Sequence, residues 1–102
     1  MKRYDIWRAN VRFEDSPEVK ARPVLIIGSA AYIIAYKITG TDRGDELDEY
    51  RIRYWHEAGL VKESSVRINK AIKLVKGDMI EKVGELDERD RLILEFRLMT
   101  LQ

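Results

Sequence analysis

His56 is the only imidazole in the chain, and there is no cysteine. Thiol nucleophiles, disulfides and cysteine-ligated zinc are therefore excluded. So is a metal site built from several histidines of one chain, and no resident metal or cofactor is expected. A two-histidine acid–base pair, the simplest way to cut a phosphodiester at neutral pH, is excluded too. Any hydrolytic chemistry must draw on carboxylates, arginines and hydroxyls, or on groups shared between two copies of the chain. Trp7, Tyr54 and Trp55 offer flat faces on which other rings can stack. Aromatics of a small domain more often fill its core, and Trp7 is assigned there. His56 is expected to pack beside Trp55.

The 102 residues fit a single domain, 1–102, and 45% hydrophobic content supports one modest core. No apolar run approaches the roughly 20 residues that a membrane span needs. The opening MKRYDIWRAN lacks both an apolar stretch and a small-residue cleavage site. With the absence of cysteine, this points to a cytoplasmic protein with no membrane attachment. Net charge is only +1, but it is unevenly spread. Residues 1–40 hold seven Lys/Arg and four Asp/Glu, whereas 41–57 hold three and six. Residues 58–84 hold six and three, and 85–102 three and five. Two basic segments folded together would make one face suited to a nucleic-acid backbone. Alternating charge also simply keeps a small domain soluble, and charge alone favours that plainer reading.

These groups must be positioned by short strands. Tyr4 to Val11 reads as a strand with Ile6, Ala9 and Val11 inward, followed by a polar loop from Glu14 to Ala21. Val24 to Ile27 is four consecutive β-branched or leucine residues, a strand buried on both faces. Gly28-Ser29 signals a turn, and Tyr32 to Thr39 completes a hairpin. Gly40 to Asp48, with two glycines and four acids, reads as a loop. Glu49 to Trp55 alternates as a half-exposed strand: Tyr50, Ile52 and Tyr54 on one side, Arg51 and Arg53 on the other. Ser64 to Asn69 and Ala71 to Val75 are further strands. Lys76-Gly77-Asp78 turns the chain, and Met79 to Val83 is a brief strand or helical turn. Asp87 caps a last helix, with Glu88 and Asp90 in its first turn, where the helix dipole favours acids. Leu92, Ile93, Phe96 and Met99 recur at helical spacing and are expected to close the core. The fold class is therefore mostly β with one C-terminal α-helix, a small barrel or sandwich.

The pattern DIW (5–7), a polar loop, RPVLIIG (22–28), a hairpin and KIT (37–39) resembles the MazF/PemK-type toxins of type II toxin–antitoxin systems. AGL (58–60), then SSVRINKAIKL (64–74) and a final short helix, is similar to the PemK-like branch. The resemblance runs from Asp5 to the terminal helix. It implies an SH3-like β-barrel, a homodimer, metal-independent endoribonuclease cleavage of single-stranded RNA, and a cognate antitoxin that wraps the dimer over its RNA groove. Many members carry Gly-Ser-Glu-Gln before the Arg-Pro pair. Here the stretch reads FEDSPEVKARP (13–23), in which Glu18 is the best match to the loop glutamate.

On that resemblance Arg22 would hold a phosphate and stabilise the charge that builds on it. The plain alternative is a surface arginine paired with Glu18 or Asp15. Thr39 would bond the scissile phosphate or orient the 2′-hydroxyl; otherwise it is an ordinary strand residue. Glu18 would be the general base, against the commoner fate of a solvated loop glutamate. Lys20, Ser65 and Arg67 are the candidate RNA contacts, and no residue is assigned as general acid. Tyr32, Ile34 and Leu60 are candidates for the surface a dimer buries. A different class of function stays open: a non-catalytic SH3-like barrel that grips a protein such as a topoisomerase, or a degenerate toxin that only binds an antitoxin.

Overall fold

In the first strand Ile6 is buried on one side of the sheet and Ala9 and Val11, two residues apart, on the other, all fully or nearly fully buried. That strand, β1 (Asp5–Arg12), opens a computed structural model that describes residues 1–12, 17–40 and 48–100. It is followed by β2 (Val19–Ser29), β3 (Ile33–Thr39), β4 (Glu49–Arg51), β5 (Ser65–Leu74), a 3-10 turn at Lys76–Asp78, β6 (Met79–Glu85) and the helix α1 (Glu88–Thr100). The strands form one antiparallel sheet in the order β4-β5-β3-β2-β1-β6.

The sheet has apolar residues buried on both sides, which is why Val24, Leu25 and Ile26 form an unbroken run. Leu25 joins Ile6, Ile38, Tyr50, Val66, Leu86 and Leu94 in one cluster. Val24 and Ile26 join Ala9, Val11, Ile33, Ala35 and Leu74 in another. The first cluster takes residues from the β4 edge and from beside the β6 edge, so the sheet curls around it in the manner of a small barrel. The turns after β4 pack against β6 to fill the remaining seam. A Cβ on Gly84 would stand 2.1 Å from the Ala58 carbonyl oxygen, and one on Gly59 would stand 2.5 Å from that of Val83. Gly59 also has φ +91, a conformation that a side chain disfavours. Both positions need glycine.

Several sequence expectations change at their boundaries. The polar stretch expected up to Ala21 ends earlier, because Val19, Lys20 and Ala21 pair with Arg12, Val11 and Asn10 of β1. Of the expected loops, residues 14–16 of the first and 41–47 of the second lie outside the described residues. Gly28-Ser29 is not the turn but lies inside β2, at a register shift. The reversal comes at residues 30–32, where the Ala30 amide donates to the Tyr32 carbonyl at 3.1 Å. Ser64 to Asn69 and Ala71 to Val75 are one strand with an irregularity opposite Lys37. Trp7 is half-buried against the second cluster rather than enclosed. Leu60, expected at a dimer surface, is core at 8% exposure, and Ile34 is half-buried. Trp55 and His56 do pack together, edge to face at 5.9 Å.

The largest correction concerns α1. Its expected inward face is exposed: Leu92, Phe96 and Met99 are 72%, 71% and 74% accessible. Leu94 and the fully buried Asp90 face the core instead, with Arg97 and Leu98 half-buried beside them. Two stripes of this helix have period 3.6 on opposite sides. The inward one carries charged residues because they have partners. The Asp90 carboxylate accepts hydrogen bonds from the Tyr50 hydroxyl at 2.5 Å and from the Arg53 and Tyr54 amides at 3.0 and 2.9 Å. Burial, and then that bond to Asp90, raise the Tyr50 pKa well above the ordinary phenol range, so Tyr50 keeps its proton and donates it only as a hydrogen bond. Arg97 Nη1 donates to the Glu49 carbonyl at 2.5 Å, and the Tyr4 hydroxyl donates to Glu95. Asp87 caps the helix as expected, accepting from the Arg89 amide at 2.9 Å.

The same contacts shorten β4. A strand was expected to run from Glu49 to Trp55, but it stops at Arg51. The next amides, Arg53 and Tyr54, turn from the sheet to Asp90, and only Ile52 still donates across, to the Ser64 carbonyl at 2.9 Å.

Candidate nucleic-acid interface

Residues directly opposite one another in an antiparallel ladder share a face. Thr39 stands opposite Ser65, and Ser65 opposite Arg51. On the other side Arg22 stands opposite Ala9, and Val24 opposite Lys37. Continuing the β2–β3 register by two residues sets Arg22 across from Thr39. One row thus crosses four strands as Arg22, Thr39, Ser65 and Arg51. Two residues along the strands on the same face lie Lys37, Arg67 and Glu49, level with Val24, and Lys20 lies two residues the other way, beyond Arg22.

This face is divided by composition. One end is the second apolar cluster, with Val24, Ile26, Ala35 and Leu74. The other end carries Lys20, Arg22, Lys37, Arg51 and Arg67, with Glu49 as its acid in the described strands. The basic segments 1–40 and 58–84 contribute four of these cations. They do come together, and β4 inserts Arg51 beside them from the acidic segment.

Arg22 and Arg51 are exposed, Thr39 and Arg67 half-buried, and Ser65 buried. Arg67 stands opposite Glu49, its Nε 3.8 Å from Glu49 Oε1. The Glu49 carboxylate is buried, so Arg67 balances a charge that burial would otherwise penalise. Arg67 is therefore shared between a structural partner and the open face. Glu18 immediately precedes β2, on the side of Lys20 and Arg22 by the two-residue period. It pairs with Lys20 at 3.6 Å, with both side chains mostly exposed. Four residues of extended chain set the Glu18 and Arg22 backbones roughly 13 Å apart.

Of the sequence-identified residues, Arg22, Thr39, Ser65, Arg67 and Lys20 fall on this one face, and Glu18 at its margin. Lys37, Glu49 and Arg51 were missed. Alternation had already placed Arg51 off the apolar side of its strand, but only the register with Ser65 brings it to the row. Among the described residues no group of three or more His, Asp or Glu gathers as metal ligands. No described helix is long and apolar enough to cross a membrane.

The arrangement can bind a phosphate chain laid across the strands. Guanidinium and ammonium groups would take phosphate oxygens, and two hydroxyls sit between them.

A family model described as "PemK-like, MazF-like toxin of type II toxin-antitoxin system" matches residues 2–101. No curated protein matches the chain. Among solved structures, the chain is similar to the Mycobacterium tuberculosis toxin MazF-mt6, at 24% identity over 92% of this chain and 91% of that one, with a TM-score of 0.72. It is also similar to an endoribonuclease in complex with its cognate antitoxin from a mycobacterial species. There identity is 18% over 96% and 90% of the two chains, with a TM-score of 0.75. At these identities the likeness to the solved structures is one of fold.

Proposed function

The chain belongs to the PemK-like, MazF-like toxin family of type II toxin–antitoxin systems, and from that membership we propose that it is an endoribonuclease cutting single-stranded RNA without a metal ion. The observation that carries the reading is the row Arg22, Thr39, Ser65 on an open cationic face. The RNA supplies its own nucleophile. Its 2′-oxygen bonds to the adjacent phosphorus while the bond from phosphorus to the 5′-oxygen breaks, leaving a cyclic phosphate and a 5′-hydroxyl. Such a route needs no protein nucleophile, which suits a chain with no cysteine and one histidine. Arg22 stabilises the charge on the pentacoordinate phosphorus. Thr39 positions the phosphate. Glu18 takes the 2′-hydroxyl proton, for which it must leave Lys20. The leaving 5′-oxygen takes its proton from water and not from the row, because a guanidinium holds its protons at neutral pH. Lys20, Ser65 and Arg67 bind the flanking RNA.

The test is purified protein with a long single-stranded RNA and EDTA. Cleavage to cyclic-phosphate ends is the expected result. Intact RNA, or cutting only after Mg²⁺ is added, refutes the mechanism.

The partners follow from the same surfaces. A cognate antitoxin with acidic segments suits the cationic face, and a mycobacterial relative is described in complex with its own antitoxin. A homodimer would cover the exposed apolar stripe Leu92, Phe96, Met99. A stable monomer by light scattering at micromolar concentration refutes the dimer. The Glu18–Lys20 ion pair and the length of strand between Glu18 and Arg22 favour one second reading: a barrel that binds its partner without catalysis. RNA that is bound but left intact would establish it.

A further inference from the structure

The sheet ends at β4, and between this edge strand and α1 lies a cavity of about 410 Å³. Arg51, Arg53, Trp55, Glu63, Ile93 and Arg97 are among the residues that line it. It adjoins the row described above, since Arg51 stands directly beyond Ser65. Resting on the reading of the chain as an RNA-cutting protein, we propose that this cavity is a subsite for a nucleotide flanking the cleaved bond. Arg51 and Arg53 hold its phosphate, and Trp55 stacks on its base.

Distance supports a separate subsite. Three interstrand steps of ~4.8 Å set Arg51 roughly 14 Å from Arg22 across the sheet. Phosphates seated directly over these two positions of the sheet are therefore separate groups. Charge supports an anion. Arg51 and Arg53 are exposed, and Glu63 is the acid beside them whose charge is not set against Arg67. Glu49, the other acid of the lining, is buried against Arg67.

Rigidity supports a built site rather than a loose edge. The segment is pinned from α1 at both ends. Arg97 donates to the Glu49 carbonyl at 2.5 Å, and Asp90 accepts from the Arg53 and Tyr54 amides. Arg51 and Arg53 are thus presented from a backbone that a three-residue edge strand alone would not hold. Trp55 is half-buried and packs on the first core cluster, so one side of its ring system is anchored. An anchored aromatic costs little entropy when a base stacks on it.

The test uses a short single-stranded RNA whose 2′-hydroxyls are methylated, so that binding is read without cleavage, alongside cleavage of the unmodified RNA. Arg51→Ala should weaken binding about 10- to 100-fold, the worth of one charge-assisted contact. It should lower the slope of log affinity against log salt by about 0.7, one phosphate contact on a single strand. In cleavage it should raise KM and leave kcat nearly unchanged. Arg51→Lys should recover part of the affinity, and Trp55→Leu should weaken binding about tenfold without changing the salt slope. If wild-type protein binds and cuts RNA while Arg51→Ala keeps its affinity and salt slope, the subsite is wrong and the RNA reading stands. If wild-type protein neither binds nor cuts RNA, that reading falls and the subsite with it.

Discussion

Replacing Asp90 by alanine separates two accounts of the same carboxylate. As an acid in the first turn of a helix, it would interact with the dipole alone, for about 0.3–1 kcal/mol. The structure assigns it much more. Its side chain is fully buried and accepts three hydrogen bonds, at 2.5, 3.0 and 2.9 Å. The Tyr50 hydroxyl is itself in the core, so losing its acceptor leaves a buried donor unpaired, at about 1–3 kcal/mol. The Arg53 and Tyr54 amides are nearer the surface and regain water, so each costs about 0.5–1.5 kcal/mol. The expected total is about 3 kcal/mol. In a domain of this size each kcal/mol moves the melting midpoint by roughly 4–8 °C, so a fall of about 12 °C or more is expected. Urea unfolding at fixed protein concentration measures the free energy directly. Tyr50→Phe removes only one of the bonds and should cost about 1 kcal/mol. The two changes should be non-additive, because they share a contact. A loss below about 1 kcal/mol for Asp90→Ala, additive with Tyr50→Phe, would refute the clamp.

Arg22→Ala should leave stability within about 0.5 kcal/mol, as for an exposed strand residue, while cleavage falls by roughly two to three orders of magnitude; melting and single-turnover assays read the two separately. Arg22→Lys should restore cleavage only in part, since the charge remains and the planar fork does not. Gly84→Ala should destabilise by about 1–3 kcal/mol, because the added methyl meets the Ala58 carbonyl oxygen and no flexible side chain can yield; a neutral result in thermal melts would show that the seam is not packed as described. Burial opposes the charge of Asp5, but the Lys2 amide and the Lys82 ammonium outweigh it and hold the carboxyl below its ordinary range. A lowered folded pKa means that this stability is present above the unfolded value, near 3.8, and is lost as pH falls through the folded one. Melting temperature should therefore drop on acidification below about pH 4, and less steeply in Asp5→Asn. If Leu92, Phe96 and Met99 form the dimer contact, Phe96→Glu should give a folded monomer by light scattering.

The chain fixes its local structure through patterns that need only neighbouring residues. The imperfect alternation of Ile6, Ala9 and Val11 around Trp7 and the unbroken run Val24–Ile26 place β1 and β2. The acid at Asp87 marks the start of α1, and the Arg-Pro-led strand with its hairpin carries the family resemblance. Arg22 and Thr39 were legible as candidates on that basis. The tertiary structure decided what depends on partners far away in sequence. Both faces of α1 have helical spacing, and hydrophobicity alone selects Leu92, Phe96 and Met99. The opposite face is buried because Asp90 meets Tyr50 and two backbone amides, and because Arg97 meets the Glu49 carbonyl. A charged residue reads as solvent-facing until its partner is known, since burial penalises only a charge left unpaired. The short β4 has the same cause, and with it the placing of Arg51. Its sequence shows which side of the strand it occupies, but the row it completes exists only through the register with Ser65, which is set by the ladder and not by the residues beside it.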